Sequence, residues 1–237
     1  MSVTRFRAVV RTLINHAILS VGTTFVAAPL VLLLLASMHA SGAIPSIGNG
    51  WALSPQAAVQ NYRAVGDLEA GFTGSITALQ MLKNSMILAT GIAVLSTSVS
   101  LAAAYAIVYF RLPLAGFLFW LSMMTLLLPL EGRFVTTFEV AATLGLVNTY
   151  GGMILPALAI ALGTLFFRQL FLTFPDQYLE AAKLDGAGPW RFFVDFILPL
   201  SWRRAGAIFV VAFMIGWHQY LWPLMLSTDE THYTVLR

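Results

Sequence analysis

Two stretches of this chain hold most of the side chains able to do chemistry, and both read as recognition sets rather than catalytic ones. The first is Glu180-Ala181-Ala182-Lys183-Leu184-Asp185-Gly186, which runs on to Leu198-Pro199 and places two carboxylates beside a glycine in a polar insert between apolar segments. The second is Trp217-His218-Gln219-Tyr220, followed by Trp222, which interrupts an apolar segment with hydrogen-bonding groups. Such groups are tolerated in a membrane when they face a bundle interior or an aqueous cavity, where they can bind a polar solute. They equally suit an outer aromatic belt. His218 and Gln219 fit a pathway better, because Trp217 and Tyr220 are at home in the interface. Arg133, flanked by Glu131 and Glu139, adds a planar fork that can hold a phosphate oxygen, or can serve as a loop or ion-pair residue. Arg168 reads as structural, reaching the headgroups by snorkelling.

Catalysis finds no comparable set. An intramembrane enzyme needs a convergent acid–base pair or nucleophile, and the apolar segments carry almost no ionisable groups. His16, His39, His218 and His232 are too scattered to form a metal site, and the absence of cysteine removes thiolate ligands and disulfides. We therefore expect no catalytic residue, no metal and no cofactor held by this chain.

The elements that position these residues must be membrane helices. Of 237 residues, 59% are hydrophobic and 10% charged, with mean hydropathy +0.82, against roughly 45–50% and about 25% in soluble domains. The net charge of +3 is small, and no basic patch alternates with exposed aromatics, so a nucleic-acid surface is not expected. Spanning a bilayer takes about 20 mostly apolar residues. Five segments qualify: Leu13–Met38, Ser85–Phe110, Leu112–Leu130, Gly151–Phe174 and Ala205–Ser227. The first is longer than the roughly 7–15 residues of a signal-peptide core. Prolines 29, 113, 129, 156 and 223 lie in or at the ends of these spans and predict kinks.

Orientation follows from Lys and Arg near the span ends. An inside N-terminus puts Arg5, Arg7, Arg11, Arg111, Arg168, Lys183, Arg191, Arg203 and Arg204 on the cytoplasmic side, leaving Arg63, Lys83, Arg133 and Arg237 outside. On this reading residues 1–12 are a cytoplasmic N-terminus, 13–237 a transmembrane domain, 41–84 an outer loop and 175–204 a cytoplasmic loop. Within that loop Pro175 suits the first position of a helix, Asp176 its first turn and Gly186 its left-handed stop. Pro189 starts a second helix, which Pro199 ends. Tyr178, Leu179 and Ala182 give the first helix an apolar stripe; Phe192, Phe193, Phe196 and Ile197 give the second one. The resulting knob either packs beneath its own helices or presents itself to a partner.

The residue order of the loop resembles the EAA loop of permease subunits of binding-protein-dependent ABC importers: Glu-Ala-Ala, three residues, Gly, nine residues, Ile, one residue, Leu-Pro. Glu180, Ala181, Ala182, Gly186, Leu198 and Pro199 fall at those spacings, Asp185 and Ala187 match common choices, and Phe196 stands at the isoleucine position. The resemblance implies an all-α integral membrane bundle with a helix-Gly-helix coupling loop that docks on a separate ATP-hydrolysing subunit. This chain itself has no phosphate loop ending in Gly-Lys-Ser/Thr. ATP and Mg would be bound by that partner.

From about Tyr105 to Trp222 the resemblance narrows to the second permease of glycerol 3-phosphate importers, carried by residues 128–134, 138–140, 165–169 and 216–223, with His218 where asparagine is usual. It implies a homologous second permease, two ATP-binding subunits, a periplasmic solute-binding protein and a multi-pass place in a bacterial inner membrane. Solutes would be glycerol 3-phosphate or glycerophosphodiesters, with sugars or oligosaccharides of related permeases as the alternative. A membrane scaffold or sensor that moves no solute is a further one. That family has six spans, so with five here either the sequence stops at Arg237 short of a sixth or that span is missing, and an odd number would put the C-terminus outside.

Overall fold

The fold is described from a computed structural model, which describes residues 3–39, 53–66, 74–110, 112–127, 131–158 and 161–236. Arg111, Arg237, the 128–130 end of the third expected span and parts of the expected outer loop (40–52 and 67–73) lie outside the described residues. Among the described residues all regular structure is helical, and the chain divides into two compact units, residues 1–77 and 78–237.

The first unit holds α1 (Val3–Ser37) and α2 (Pro55–Ala64). Residues 10–37 of α1 are long and apolar enough to cross a membrane, at about 1.5 Å per residue. Leu13, Ile18, Phe25 and Leu33 present most of their surface outward, as a lipid-facing helix does. Asn61 of α2 donates to the carbonyls of Ser37 (2.9 Å) and His39 (2.7 Å), supplying partners where α1 ends. Ser54 caps α2 by accepting the Ala57 N–H, with Pro55 at the first position. The stretch expected as an outer loop thus contains a capped helix.

The second unit is built around α3 (Ala78–Tyr109), against which α10 (Leu198–Trp217) and α7 (Ala161–Phe171) pack most extensively. Lipid supplies little hydrophobic drive between helices, so close approach depends on small residues. A Cβ on Gly216 of α10 would stand 2.9 Å from the Ala89 Cα, and one on Gly163 of α7 would stand 2.6 Å from Ser100 Oγ. Ala89, Ala93, Ser96, Ser100 and Ala104 are all buried along α3. Two cores sit along this rod. Leu88 and Ile92 join Ala141, Met153, Trp222 and Leu226 in one; Leu101, Ala104 and Tyr105 join Phe167, Phe171, Phe192 and Ile197 in the other. From Leu88 to Tyr105 the helix advances about 25 Å.

Among the described residues three helices are long and apolar enough to span, with a fourth if a bent pair crosses as one, beside the five spans expected. The third expected span appears as α4 (Ala115–Met124) and a 3₁₀ turn to Leu127, about 20 Å in all and short of a core of about 30 Å. The fourth is the bent pair: α6 (Tyr150–Ile154), a 3₁₀ turn at Leu155–Ala157 holding Pro156, then α7, with a bend of 49°. The fifth begins sixteen residues early, at Pro189 rather than Ala205. Pro199 does not end the helix there, contrary to expectation. A π turn at Phe193–Ile197 lets the Leu198 N–H reach the Phe193 carbonyl, so the wide register falls just before the residue that lacks an N–H. The helix runs on to Trp217, and a separate α11 (Leu221–Leu226) follows.

Polar side chains lace the returning C-terminal segment to this unit. Buried Asn84 donates to the carbonyls of Thr231 (2.8 Å) and Tyr233 (2.9 Å) and accepts from the Tyr150 hydroxyl (2.7 Å). Ser85 accepts the Val235 N–H at 2.9 Å. Asn148, in the left-handed region at φ 59°, accepts the N–H groups of Thr228 and Asp229.

Candidate coupling knob and polar cavity

The knob consists of α8 (Gln177–Leu184) and α9 (Pro189–Phe192), joined by the four residues Asp185–Gly188. Gly186 has φ +71°, and the two bonds of a Schellman cap close the helix: Ala187 N–H to Ala182 O at 2.8 Å and Gly186 N–H to Lys183 O at 3.1 Å. Ala182 is buried in the same core that Ala187 and Leu179 pack against, which turns the opposite face of α8 outward. Glu180, Ala181, Lys183, Asp185 and Gly186 are therefore exposed. Leu184 (89% exposed) and Trp190 (75%) stand out beside them. Arg191 and Asp195 form an exposed pair at 3.2 Å, of a kind worth little by itself.

The inner face of the knob is fixed. Phe192 and Ile197 are buried, with Phe193 and Phe196 against them. Tyr105 of α3 is 8% exposed, and its hydroxyl donates to the Pro189 carbonyl at 2.7 Å, tying the elbow to the central rod. Tyr178, expected in the buried stripe, is exposed instead. Leu198 and Pro199 follow the π turn on the outside of α10.

At the far end of α3 lies a cavity of about 180 Å³ lined by Arg133, Phe134, Thr137, Pro156, Ala157, Gln219 and Trp222. It sits at two chain breaks, the 3₁₀ turn after α6 and the non-helical residues between α10 and α11. Arg133 opens α5 (Phe134–Thr143), and its carbonyl accepts the hydroxyls of Thr136 (3.0 Å) and Thr137 (2.8 Å). Trp222, 3% exposed, donates from Nε1 to the Gly152 carbonyl and lies against Phe134. Irregular backbone at membrane depth is tolerated where protein or a wet cavity covers it.

Of the pathway residues expected from sequence, the structure brings Arg133, Gln219 and Trp222 together at this cavity, while Trp217, His218 and Tyr220 are not among its lining residues. His218 is exposed and its ring bonds the Met214 carbonyl of its own helix at 2.8 Å. Trp217 stacks on Phe213 at 5.9 Å, and Tyr220 is about half exposed. Arg168 sits over the Phe119 ring, 4.4 Å from its centre, rather than simply reaching outward. Tyr105 and Thr137 are not among the residues the sequence points to. The partner of Tyr105 lies 84 residues on, and Thr137 bonds only a carbonyl of its own helix turn, so neither carries a local signal of a site. Among the described residues no group of three or more His, Asp or Glu is placed to hold a metal.

Comparison with known proteins supplies the family. Residues 110–236 match the family described as binding-protein-dependent transport system inner membrane component. The sn-glycerol-3-phosphate transport system permease protein UgpE of Brucella abortus (strain 2308) is 41% identical over 234 residues, covering 96% of this chain and 80% of that protein. The protein of the same name from Yersinia pestis bv. Antiqua (strain Antiqua) is 50% identical over 151 residues, 64% of this chain and 54% of that one. Among solved structures, a bacterial ABC transporter involved in the import of the acidic polysaccharide alginate matches with TM-score 0.79 at 18% identity, covering 99% of this chain and 79% of that one, a likeness of fold. With a family match over more than half its length and a relative of this identity along nearly all of it, the chain belongs to the binding-protein-dependent ABC transport inner membrane components.

Proposed function

We propose that this chain is a permease subunit of an ATP-driven importer for sn-glycerol 3-phosphate or its diesters. It pairs with a homologous second permease, two ATP-binding subunits that hold ATP and Mg, and a periplasmic solute-binding protein. The N-terminus is cytoplasmic, as the positive residues favour, which puts the knob on the same side as the ATPases. Glu180, Ala181, Asp185 and Gly186 form the docking face, with Ala182 seating the helix from behind, and Leu198 and Pro199 begin the helix that carries its motion into the membrane. Arg133, Gln219 and the neighbouring Trp217, His218 and Tyr220 serve the solute pathway.

One observation supports this reading most strongly: the knob is exposed on one face and held rigidly on the other. Leu184 and Trp190 project beside the glycine elbow, as apolar anchors of a docking surface do. Behind them, Tyr105 and the buried aromatics bind the knob to α3 and α10. A partner that pushes the knob therefore pushes both rods, which can shift between two packed arrangements that open the path to either side. The chemistry of ATP cleavage stays with the partner.

Reconstitution in liposomes with the partner subunits tests the proposal. Labelled sn-glycerol 3-phosphate should accumulate only with ATP and the binding protein, and unlabelled glycerophosphodiesters should compete. Competition by maltose-like sugars instead would replace the solute assignment. No ATP-dependent flux of any solute would leave the knob as a scaffold contact.

A further inference from the structure

The cavity at the two chain breaks has properties that the coupling role leaves unused, and they point to the chemistry of what it holds. Among the described residues that line it, Arg133 carries the one charge. The ion pair found among the described residues is Arg191 with Asp195. Thr136 and Thr137 bond the Arg133 carbonyl, which anchors the backbone of this lining residue.

The remaining lining divides into fixed walls and one adjustable group. Trp222 has its Nε1 committed to Gly152 and its ring against Phe134, so it shapes the cavity rather than binding through its N–H. Thr137 has its hydroxyl proton committed to Arg133 O and keeps acceptor capacity. Gln219 follows the end of α10, with its backbone N–H bonded to Gly216 O, and is one of the lining residues. An amide offers both donors and an acceptor, the complement of a hydroxyl.

We infer that this cavity is a phosphate-ester subsite of the transport path, in which Arg133 pairs with the phosphate oxygens and Gln219 hydrogen-bonds a hydroxyl of the attached polyol. The inference rests on the proposed reading of the chain as a permease for phosphorylated glycerol and goes beyond it by placing the charge recognition in this subunit. At about 180 Å³ the cavity is smaller than the roughly 300–1,000 Å³ that encloses a drug-sized ligand. Its size suits one small solute end. Because guanidinium binds phosphate through two parallel bonds where ammonium offers a point charge, arginine and lysine are not equivalent there.

The test uses the complete reconstituted importer with the variants Arg133→Gln, Arg133→Lys and Gln219→Leu, in bilayers with and without phosphatidylglycerol. Co-purification of the ATPase subunits checks that each variant assembles. With saturating loaded binding protein, sn-glycerol 3-phosphate moved per ATP hydrolysed should fall about tenfold or more for Arg133→Gln, about 1.4 kcal/mol. Arg133→Lys should recover part of that loss, and Gln219→Leu should lose less. An Arg133→Gln ratio equal to that of the parent chain overturns the subsite while leaving the importer reading standing. A loss that appears only with phosphatidylglycerol assigns the phosphate to a lipid headgroup and also overturns it. A parent importer that moves no phosphate ester removes the reading on which the inference rests, so the two failures are distinct.

Discussion

Gly186 is glycine because of its backbone and not for want of room: φ is +71°, yet nothing lies within 4 Å of where a Cβ would stand. Gly186→Ala should strain the elbow by about 1 kcal/mol, and a β-branched Val by more. Solute-stimulated ATP hydrolysis and uptake should then drop together while membrane insertion survives. Gly145 provides the control, since it closes α5 with the same left-handed turn at φ +67° and equally open space, away from the knob. Gly145→Ala should destabilise comparably and spare the coupling ratio; equal loss of coupling in both variants would refute the special role of the elbow. Tyr105→Phe makes a narrower cut, removing one hydroxyl that donates to Pro189 and leaving the ring in place. It should weaken the tie by about 1 kcal/mol and speed hydrogen exchange through residues 175–192, and unchanged exchange would show the bond to be dispensable. The glycine was legible in the sequence because a helix stop is a local signal. The tyrosine was not, because its partner lies 84 residues on.

At the scale of elements, the sequence conveyed helix content and the knob well and the helix ends poorly. Hydrophobic runs locate membrane helices, but where they break is decided by turns that the runs do not encode. Pro199 reads locally as a stop, and the π turn before it carries the helix past it. Pro156 reads as a kink within one span, and the chain there forms a 3₁₀ turn and a bend that opens a cavity. The segment after α11 was equally hidden, since its hold depends on Asn84, Ser85 and Asn148 meeting residues far along the chain. Asp229 gives that segment a pH dependence. Its carboxylate accepts the Thr231 N–H, which holds its pKa below the ordinary carboxylate value, with nearby His232 adding in the same direction. A lowered folded pKa stabilises the segment above the unfolded value of about 3.9 and is lost as pH falls through the folded one. Amide protection at residues 230–232, corrected for intrinsic exchange rates, should therefore hold at neutral pH and weaken below about pH 4. Asp229→Ala should abolish that step, and its survival in the variant would assign it to another group.

For the whole second unit, the functional question is how a push on the knob reaches a cavity near the other end of α3. Two helices connect them. Both α3 and α10 have residues in the core beside the knob or begin directly from it, and both end at or next to residues of the core around Trp222. They come into backbone contact where Gly216 meets Ala89, just before the chain break that carries Gln219. A side chain there would press on backbone, which yields less readily than a flexible side chain. Gly216→Leu should thus force the rods apart near the cavity, at about 1–3 kcal/mol, while the knob more than 20 Å away keeps its own packing. Binding of the ATPase subunits should survive and solute transport should fail. Gly206, on the same helix with nothing within 4 Å of its Cβ position, supplies the comparison. Gly206→Leu should leave both intact if rod contact carries the coupling. If the two variants transport alike, the signal passes from knob to cavity by another route, and α3 and α10 serve only as a frame.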